Sequence, residues 1–299
     1  MNKKKIVCFH HNDRDGIVSA AIVKYWMQDD SKVEFIPIEM DYSTTLCDEF
    51  KKRELDKDYE NGNIERIFIV DYSLSTNGNV EFVDKYKDII TWIDHHLSSI
   101  QSQNEFKELK EIAGFRIIGM SGALLTYLYF KMKTSEKCKI DPVILEWNDK
   151  SVEVSIPKDI IKRCIEDNNV PKFIEYTHRY DIWDLDDEVI NFSLGESETD
   201  IDKMIYKMFY NYEVCNAINR GEIIYDYTRK LYENHIEKNG VYFSINVCGK
   251  TYSALMVNMI KPNSLKFGFY YDIIDILVPF YYTGDGYLYS MYRKRDDID

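Results

Sequence analysis

The 299-residue sequence predicts an α/β protein in which a parallel sheet carries helices on both faces, followed by a smaller α+β unit. The first observation is an alternation of short apolar runs with segments of helical periodicity, from the amino terminus to His96. The second is a change after Gly240, where runs typical of strands follow a long helical stretch. Alternating strands and helices favour βαβ units, which place their strands parallel in one sheet.

Each element of the amino-terminal sheet is predicted from a local pattern. Short apolar runs predict four strands, at Ile6–Phe9, Val33–Ile38, Arg66–Ser73 and Asp88–His96. Helical spacing predicts helices between them, beginning at Gly16 and covering residues 44–55 and 79–86. The predicted parallel sheet has about five strands.

The region from Ser121 to Asn239 is predominantly helical in pattern. Apolar residues recur at helical spacing in successive segments, such as "SGALLTYLYFKM" and "PKFIEYTHRYDIWDL". Within this region, Val143–Ile156 predicts a hairpin that turns at Asn148 and Asp149. The long helix that ends at Asn239 is expected to lead into the carboxyl-terminal strands.

The composition restricts the classes of partner. The chain has 51 acidic and 38 basic residues, and its net charge of -13 disfavours a long basic track for duplex DNA or RNA. A small substrate, or a short one whose phosphates meet bound metal, fits this charge better. The 6 cysteines form no CxxC pair, and the sequence has neither a signal-peptide pattern nor an apolar run of membrane-spanning length. We therefore expect a cytoplasmic protein with reduced thiols and no membrane partner.

Three of the predicted strands end in carboxylates or imidazoles. The residues concerned are His11, Asp13 and Asp15 after the first strand, Asp71 in the third, and Asp94, His95 and His96 at the end of the fourth. The first loop alone also fits a turn followed by a helix cap, since Asn and Asp are common in both. However, the carboxyl ends of parallel strands lie along one edge, where open α/β sheets bind ligands. The coincidence of three such ends favours a common site.

The side chains at this edge predict a metal centre. Carboxylates and neutral imidazoles without thiolates suit a harder divalent ion such as Mn²⁺, with Mg²⁺, Co²⁺ or Zn²⁺ as alternatives. Clustered carboxylates also need cations, because their mutual repulsion otherwise raises their pKa values. Two ions that share a carboxylate would clamp a phosphate and supply a hydroxide for in-line attack. Asp71 is the candidate bridge, since it comes alone from a strand between the other contributors.

Four ordered segments resemble the four motifs of the DHH phosphoesterase superfamily. They are "HNDRDG" from His11, "VDYS" around Asp71, "DHH" at Asp94–His96 and "YDIW" around Asp181. The resemblance covers residues 4–183 well and the remainder more loosely. Members of that superfamily include RecJ nucleases, nanoRNases, cyclic-dinucleotide phosphodiesterases and a class of inorganic pyrophosphatases.

The resemblance implies two Mn²⁺ ions and assigns a role to each matched residue. One ion would be held by His11, Asp13 and Asp71, and the other by Asp15, Asp71, His95 and Asp181. By the same match, His96 would face the substrate phosphate, where a protonated imidazole can neutralise charge or assist the leaving oxygen. Asp94 would orient a ligand histidine without binding metal itself.

Neighbouring residues have two interpretations each. Arg14 either reaches a substrate phosphate or is an exposed loop arginine. His10 should point away from His11 by strand alternation, which favours a structural role. His178 is more simply a structural histidine than a partner of the metal ligands. Trp92 and Trp183 are expected in the core and not as stacking platforms.

The carboxyl-terminal part resembles an incomplete version of a second domain found in many of these enzymes. Residues 240–299, notably "YSMYRKRDDID" from Tyr289, resemble the first part of the DHH-associated domain, but no glycine-rich "GGGH"-like motif follows. The expected organisation is a catalytic domain at 1–185, a helical connector at 186–239 and a partial substrate-binding domain at 240–299. Arg293, Lys294 and Arg295 fit either a nucleic-acid contact or a solvated basic tail.

The sequence therefore predicts a divalent-metal-dependent phosphodiesterase. This hydrolase would cleave short oligonucleotides, or linear or cyclic dinucleotides, by metal-hydroxide attack. One alternative is a phosphatase of polyphosphate, pyrophosphate or a nucleotide 3′-phosphate. Another is a weakly active nucleotide-binding module. The expected partner is a short nucleic acid or a small phosphoester.

Overall fold

The computed structural model describes residues 3–27, 33–74, 77–134, 142–258 and 274–293. The strands of the amino-terminal sheet are β1 (Lys4–His11), β2 (Val33–Met40), β3 (Ile64–Val70) and β4 (Ile90–Ile93). The helices that alternate with them are α1 (Arg14–Met27), α2 (Leu46–Lys52), α3 (Leu55–Glu60) and α4 (Asn77–Tyr86). The chain therefore alternates between strand and helix as its hydrophobic pattern predicts.

The four strands form one parallel sheet in the order β2-β1-β3-β4. Cys8 pairs with Phe68, and Phe68 pairs with Thr91, so β3 lies between β1 and β4. The predicted number of about five strands is too high by one within the described part of the chain. In place of a fifth strand, a short segment lies beside β4. It makes two isolated parallel bridges, Thr91 with Ala113 and Asp94 with Arg116.

Both faces of the sheet are buried, which confirms the prediction of helices on each side. Alternate residues of β1 point to opposite faces, so Ile6 and Cys8 join one core while Val7 and Phe9 join the other. Full burial of each large apolar side chain stabilises the fold by roughly 1.5–3 kcal/mol. These two cores fix the strands, and thereby the residues that follow their carboxyl ends.

The described chain after β4 is helical up to Asn239. The helices of this part are α5 (Leu97–Glu105), α6 (Lys107–Lys110), α7 (Gly122–Thr134), α8 (Pro142–Lys150), α9 (Lys158–Asp167), α10 (Lys172–Asp181), α11 (Asp187–Gly195), α12 (Ile201–Met208) and α13 (Asn211–Asn239). Val189, Phe192 and Met204, from the predicted connector, lie in the same core as α1 and α7. The boundary at residue 185 stays a prediction.

The predicted hairpin over Val143–Ile156 is wrong, because residues 142–150 form helix α8. Proline is favoured at the first position of a helix, where its missing N–H is not needed, and Pro142 occupies that position. The segment then folds back, with Trp147 Nε1 donating to the carbonyl of Val154 at 2.8 Å. A short apolar run cannot distinguish strand from helix by periodicity alone, and here Ile144 packs into the helical core.

A second, smaller sheet follows α13. Its strands are β5 (Val241–Val247), β6 (Lys250–Asn258), β7 (Ile276–Tyr282), β8 (Tyr287–Tyr289) and β9 (Tyr292–Arg293). The order is β5-β6-β7-β8 with β9 paired to β7, and the β6/β7 pair is parallel while the other pairs are antiparallel. Leu255 and Leu277 pack with Ile236 of α13. The predicted change of structure after Gly240 is thus confirmed, while Lys294 and Arg295 lie outside the described residues.

A search of the described helices finds none with the length and apolar character needed to cross a membrane.

Candidate metal centre

The predicted ligands converge at the carboxyl edge of the parallel sheet. His11 ends β1, Asp71 directly follows β3, and Asp94 directly follows β4. Because β3 is the middle of these three strands, Asp71 lies between the other contributors, as predicted. Its backbone is in the left-handed region, with φ of 54°, where the chain turns out of the strand. Asp181 arrives at the same place from the last residue of α10.

The converging side chains of the described residues form three groups that could hold a metal ion. Two of them contain only predicted ligands, and the third combines Asp71 and His95 with Asp94 and His96. In the first group, potential ligand atoms of His11, Asp13 and Asp71 all lie within 4.8 Å of one another. His11 Nδ1 is 2.8 Å from Asp13 Oδ2. The second group meets the same distance criterion and contains Asp15, His95 and Asp181.

Asp71 lies against both groups. His95 Nε2 is 3.1 Å from Asp71 Oδ1, 3.4 Å from Asp181 Oδ2 and 3.8 Å from Asp15 Oδ2. Asp71 therefore has the position that a bridging carboxylate requires, although its binding of metal stays a prediction.

Several buried atoms of this cluster lack the partners that buried polar atoms normally have. Within the described part of the chain, no donor satisfies either carboxylate oxygen of Asp71 or Oδ2 of Asp181, and His95 Nε2 is likewise without a hydrogen-bond partner. Leaving a buried polar group unsatisfied costs about 1–3 kcal/mol, and more when the group is charged. Bound divalent cations would satisfy all of these atoms at once, so the residues present fit a metal centre.

The electrostatics of the cluster also fit a cation. Burial, followed by the charge of Asp181, raises the pKa of Asp15 to about 7. Burial and the neighbouring carboxylates raise the pKa of Asp71 well above its ordinary value. The pKa of Asp13 behaves differently: burial opposes its ionisation, but hydrogen bonds from His11 and from the Gly16 amide lower the pKa to about 2. A cation between these groups would favour the charged form of every carboxylate.

Asp15 is held by groups that no sequence pattern indicated. The backbone amides of Gly122 and Ala123, at the amino end of α7, donate to its two carboxylate oxygens at 2.6 and 3.0 Å. Free amides and the helix dipole make such an end a natural place for a carboxylate. Ser121 caps the same helix, and its Oγ accepts from the Leu124 amide at 3.4 Å.

We expect Gly122→Ala to weaken Mn²⁺ binding by about 10- to 100-fold, which is the usual effect of disturbing the groups that orient metal ligands. A Cβ at this position would lie 2.7 Å from Asp71 Cβ and 3.0 Å from Asp15 Oδ2, so both side chains would have to move. Titration calorimetry with Mn²⁺ measures the effect. Gly286→Ala is the matched control, since a Cβ there meets no described atom within 4 Å. Equal Mn²⁺ affinity in the two variants would contradict this arrangement.

The pKa of Asp15 predicts how the stability of metal-free protein depends on pH. Since the folded pKa of about 7 exceeds the ordinary 3.8, the folded state binds more protons than the unfolded state between these values. This group's contribution to stability is therefore lost as pH rises from about 4 to about 7. His178 contributes with the opposite sign, because burial lowers its pKa from 6.5 to about 3.

Comparison of the wild type with Asp15→Asn isolates the carboxyl contribution. In chelator, we expect the free energy of unfolding of the wild type, relative to the variant, to decrease from pH 4 to pH 7. Urea denaturation at several pH values measures it. Parallel pH profiles for the two proteins would show that Asp15 is not held in this environment.

Asp94 holds the ring of His96, whereas the resemblance implied that it orients a ligand histidine. Its Oδ1 is 2.7 Å from Nδ1 of His96, whereas its contact with the proposed ligand His95 is an accepted hydrogen bond from the backbone amide at 2.8 Å. Ser99 Oγ also donates to Asp94. Burial opposes the ionisation of Asp94, but the charges and hydrogen bonds of His96 and its neighbours lower its pKa overall. Burial acts against the charge on His96 as well, yet Asp94 raises its pKa.

Arg14 is anchored by the protein. Nη1 donates to Ser193 Oγ at 2.9 Å, and Nη2 donates to the carbonyls of Ser193 and Glu196 at 2.9 and 2.6 Å. A phosphate contact, which stays a prediction, would require some of these bonds to be exchanged. The anchoring residues are about 180 positions away in sequence, so the sequence pattern did not reveal them.

His10 and His178 have the structural positions that the sequence favoured. His10 is buried, and its Nδ1 lies 2.8 Å from the carbonyl oxygen of His11. His178 is also buried, and its Nδ1 accepts a hydrogen bond from the Ser121 amide at 3.1 Å. His178 thereby supports the end of α7 that holds Asp15.

The two tryptophans expected in the core behave differently. Trp92 is fully buried, and its Nε1 donates to the Tyr72 carbonyl at 3.0 Å. The expectation for Trp183 is wrong, because this side chain is 68% exposed. It lines a cleft of about 140 Å³ together with Asp13, Arg14, Asp15, Thr177, Tyr180 and Asp181. Side-chain type alone does not distinguish a core tryptophan from one at the edge of a site.

A larger cleft lies between α9 and α10. Its volume is about 490 Å³, and its described lining combines isoleucines with charged residues, including Ile161, Lys162, Arg179 and Asp184. None of the predicted metal ligands is among its described lining residues. The predicted ligands therefore line the smaller cleft at the sheet edge and not this larger one.

A parallel α/β sheet with carboxylates and imidazoles at its carboxyl edge is typical of a metal-dependent hydrolase. Residues 5–147 match the model of the DHH family, N-terminal domain. This match, together with the cluster of carboxylates and histidines, supports a phosphoesterase activity that depends on divalent metal.

Two solved structures are similar to the chain at low identity. One is an uncharacterized protein from Helicobacter pylori G27, with 12% identity and a TM-score of 0.41, over 93% of this chain and 83% of that one. The other is an exopolyphosphatase-related protein from Bacteroides fragilis, with 12% identity and a TM-score of 0.34, over 97% and 79%. At such TM-scores neither likeness carries an argument about this chain. No curated protein matches the sequence.

Proposed function

We propose that this protein is a divalent-metal-dependent phosphodiesterase of short oligonucleotides or of linear or cyclic dinucleotides. The observation that supports the proposal best is the set of buried, unsatisfied atoms on Asp71, His95 and Asp181, which face one another at the sheet edge. Such a cluster is costly to fold without cations. Its place at the carboxyl edge of a parallel sheet is where a substrate can reach it.

The proposed centre holds two ions, most suitably Mn²⁺. His11, Asp13 and Asp71 would hold one, and Asp15, Asp71, His95 and Asp181 the other. Oxygen and imidazole donors without thiolate support a harder divalent ion. When bound, such ions neutralise phosphate oxygens and lower the pKa of a water that can attack phosphorus.

The chain's own residues would orient and protonate the substrate. Asp94 holds Nδ1 of His96, which leaves Nε2 as the nitrogen available to a phosphate oxygen. Because Asp94 also raises the pKa of His96, the imidazolium is favoured near neutral pH. A proton on Nε2 can then be donated to the oxygen that leaves. Asp15, fixed by the amides of Gly122 and Ala123, keeps its place as charges change.

The net charge of -13 supports the short end of the substrate range, since a long nucleic acid would need an extended basic surface. We also propose that residues 1–185 form the catalytic domain and that residues 240–299 help to bind the substrate. Residues 186–239 would form the helical connector between these two domains. None of the described cysteines forms a disulfide, which supports a reducing, cytoplasmic setting.

A substrate panel tests the proposal. Wild-type protein with Mn²⁺ is incubated separately with a dinucleotide, a cyclic dinucleotide, a longer oligonucleotide, polyphosphate and a nucleotide 3′-phosphate, and the products are identified by mass. We expect mononucleotides from the dinucleotide. Release of orthophosphate alone, from polyphosphate or the 3′-phosphate, would replace the proposal with a phosphatase. Binding of nucleotide without turnover of any substrate would leave a nucleotide-binding module.

A further inference from the structure

Trp183 is an exposed aromatic side chain placed beside the candidate metal centre. It follows Asp181 by two residues, just after α10 ends, and its amide donates to the Tyr180 carbonyl at 3.2 Å. With Asp13, Asp15 and Asp181 it lines one cleft. A group that contacts the metal centre through a phosphate could therefore extend over the indole ring.

The backbone of Trp183 adopts a conformation that tryptophan normally avoids. Its φ is 60°, in the left-handed region that favours glycine and is unusual for a bulky side chain. Burial does not offset this cost, since most of the side chain faces solvent. The end of α10 imposes this conformation, because the Asp184 amide donates to the Arg179 carbonyl at 2.8 Å in a Schellman motif, and it fixes the backbone of Trp183 beside the cleft.

The cleft beside Trp183 is suited to part of a substrate. Its volume of about 140 Å³ is below the roughly 300–1,000 Å³ of pockets that enclose a whole drug-sized ligand. Tyr180 and Thr177 line it from α10, and the anchored guanidinium of Arg14 lies 5.9 Å from the centre of the Tyr180 ring. One wall is thus aromatic and held in place, while the other carries the carboxylates of the metal centre.

We propose that the indole of Trp183 stacks on the nucleobase next to the phosphate bound at the metal centre. This inference rests on the proposed function, and it narrows the substrate class to phosphoesters that carry a base. Stacking is tolerant of base identity because every base has a π face. Polyphosphate and pyrophosphate offer nothing for the ring to bind.

Binding of adenosine 5′-monophosphate and of ribose 5-phosphate tests whether Trp183 acts as a stacking platform for a base. Neither probe contains a phosphodiester that could be hydrolysed. The two probes carry the same phosphate and sugar and differ in the base. In Mn²⁺, calorimetry on wild-type protein should give adenosine monophosphate an advantage of about 5-fold to about 150-fold, as expected for one stacked base. Trp183→Ala should remove that advantage and leave the affinity for ribose 5-phosphate unchanged, while Trp183→Phe should retain most of it.

Two further variants keep the test decisive. Trp183→Gly should lose the advantage while keeping or raising the melting temperature, since glycine accepts the left-handed backbone. Tyr212→Ala removes an exposed aromatic from α13 and should match the wild type. The proposal is overturned if wild-type protein binds the two probes equally, or if Trp183→Ala retains the advantage. If the advantage depends on Trp183 but no dinucleotide is hydrolysed, the platform stands and the proposed function fails.

Discussion

Replacement of Asp71 by asparagine is expected to lower the rate of dinucleotide hydrolysis by at least about 10³-fold. Asp71 is the carboxylate that lies against both ligand groups, so an amide of the same shape removes negative charge from both. Stabilisation by bound ions contributes several kcal/mol to such reactions, and each 1.36 kcal/mol is tenfold in rate. Initial rates with a dinucleotide at saturating Mn²⁺ measure the effect.

The same variant distinguishes a metal ligand from a residue that stabilises the fold. Asp71 is 1% exposed, and no described donor satisfies its oxygens, so its charge burdens the metal-free fold. We expect Asp71→Asn to unfold in chelator at the same or a higher urea concentration than the wild type. Asp84→Asn, which changes an exposed carboxylate on α4, should retain full activity. A large loss of metal-free stability in Asp71→Asn would contradict the proposed role.

Replacement of His96 by alanine is expected to lower kcat by about 10²- to 10⁴-fold, the usual contribution of a general acid. The geometry supports this role, since Asp94 fixes Nδ1 and thereby the orientation of the ring. We expect the wild-type rate to fall at alkaline pH as His96 loses its proton, and the variant to lack this decrease. Rates over a range of pH, for both proteins, measure the expected difference.

A measurement of metal binding distinguishes a general acid from a metal ligand at His96. His96 also belongs to a group with Asp71, Asp94 and His95 that could hold an ion, so a ligand role is a real alternative. If His96 acts on the substrate, His96→Ala binds Mn²⁺ with wild-type stoichiometry. Loss of one ion in this variant would make His96 a ligand and overturn its proposed role. His235→Gln, on the exposed surface of α13, provides the control.

The convergence of the site residues was predictable because it follows from the alternation of strands and helices along the sequence. Once the strands are parallel, their carboxyl ends share an edge, and the residues after β1, β3 and β4 must lie near one another. The middle place of Asp71 also followed, since β3 is the middle contributor in space as in sequence. Ordered family motifs added Asp181, which no strand pattern could have placed.

Contacts between distant helices were not predictable in the same way. The amides that hold Asp15 belong to Gly122 and Ala123. The carbonyls that hold Arg14 belong to Ser193 in α11 and to Glu196 just after it. Neither contact leaves a periodic pattern in the sequence, because each depends on how the helices pack on the sheet. The exposure of Trp183 was missed for a related reason, since a large apolar residue after a helix is ordinarily assigned to the core.

Counting the ions bound per chain tests the central claim most directly. Wild-type protein and Asp71→Asn are equilibrated with Mn²⁺, separated from free metal, and assayed for protein and manganese by elemental analysis. The proposed centre predicts two ions for each wild-type chain and fewer than one for Asp71→Asn. The same content of manganese in both proteins, or no bound manganese in the wild type, would contradict the proposed centre.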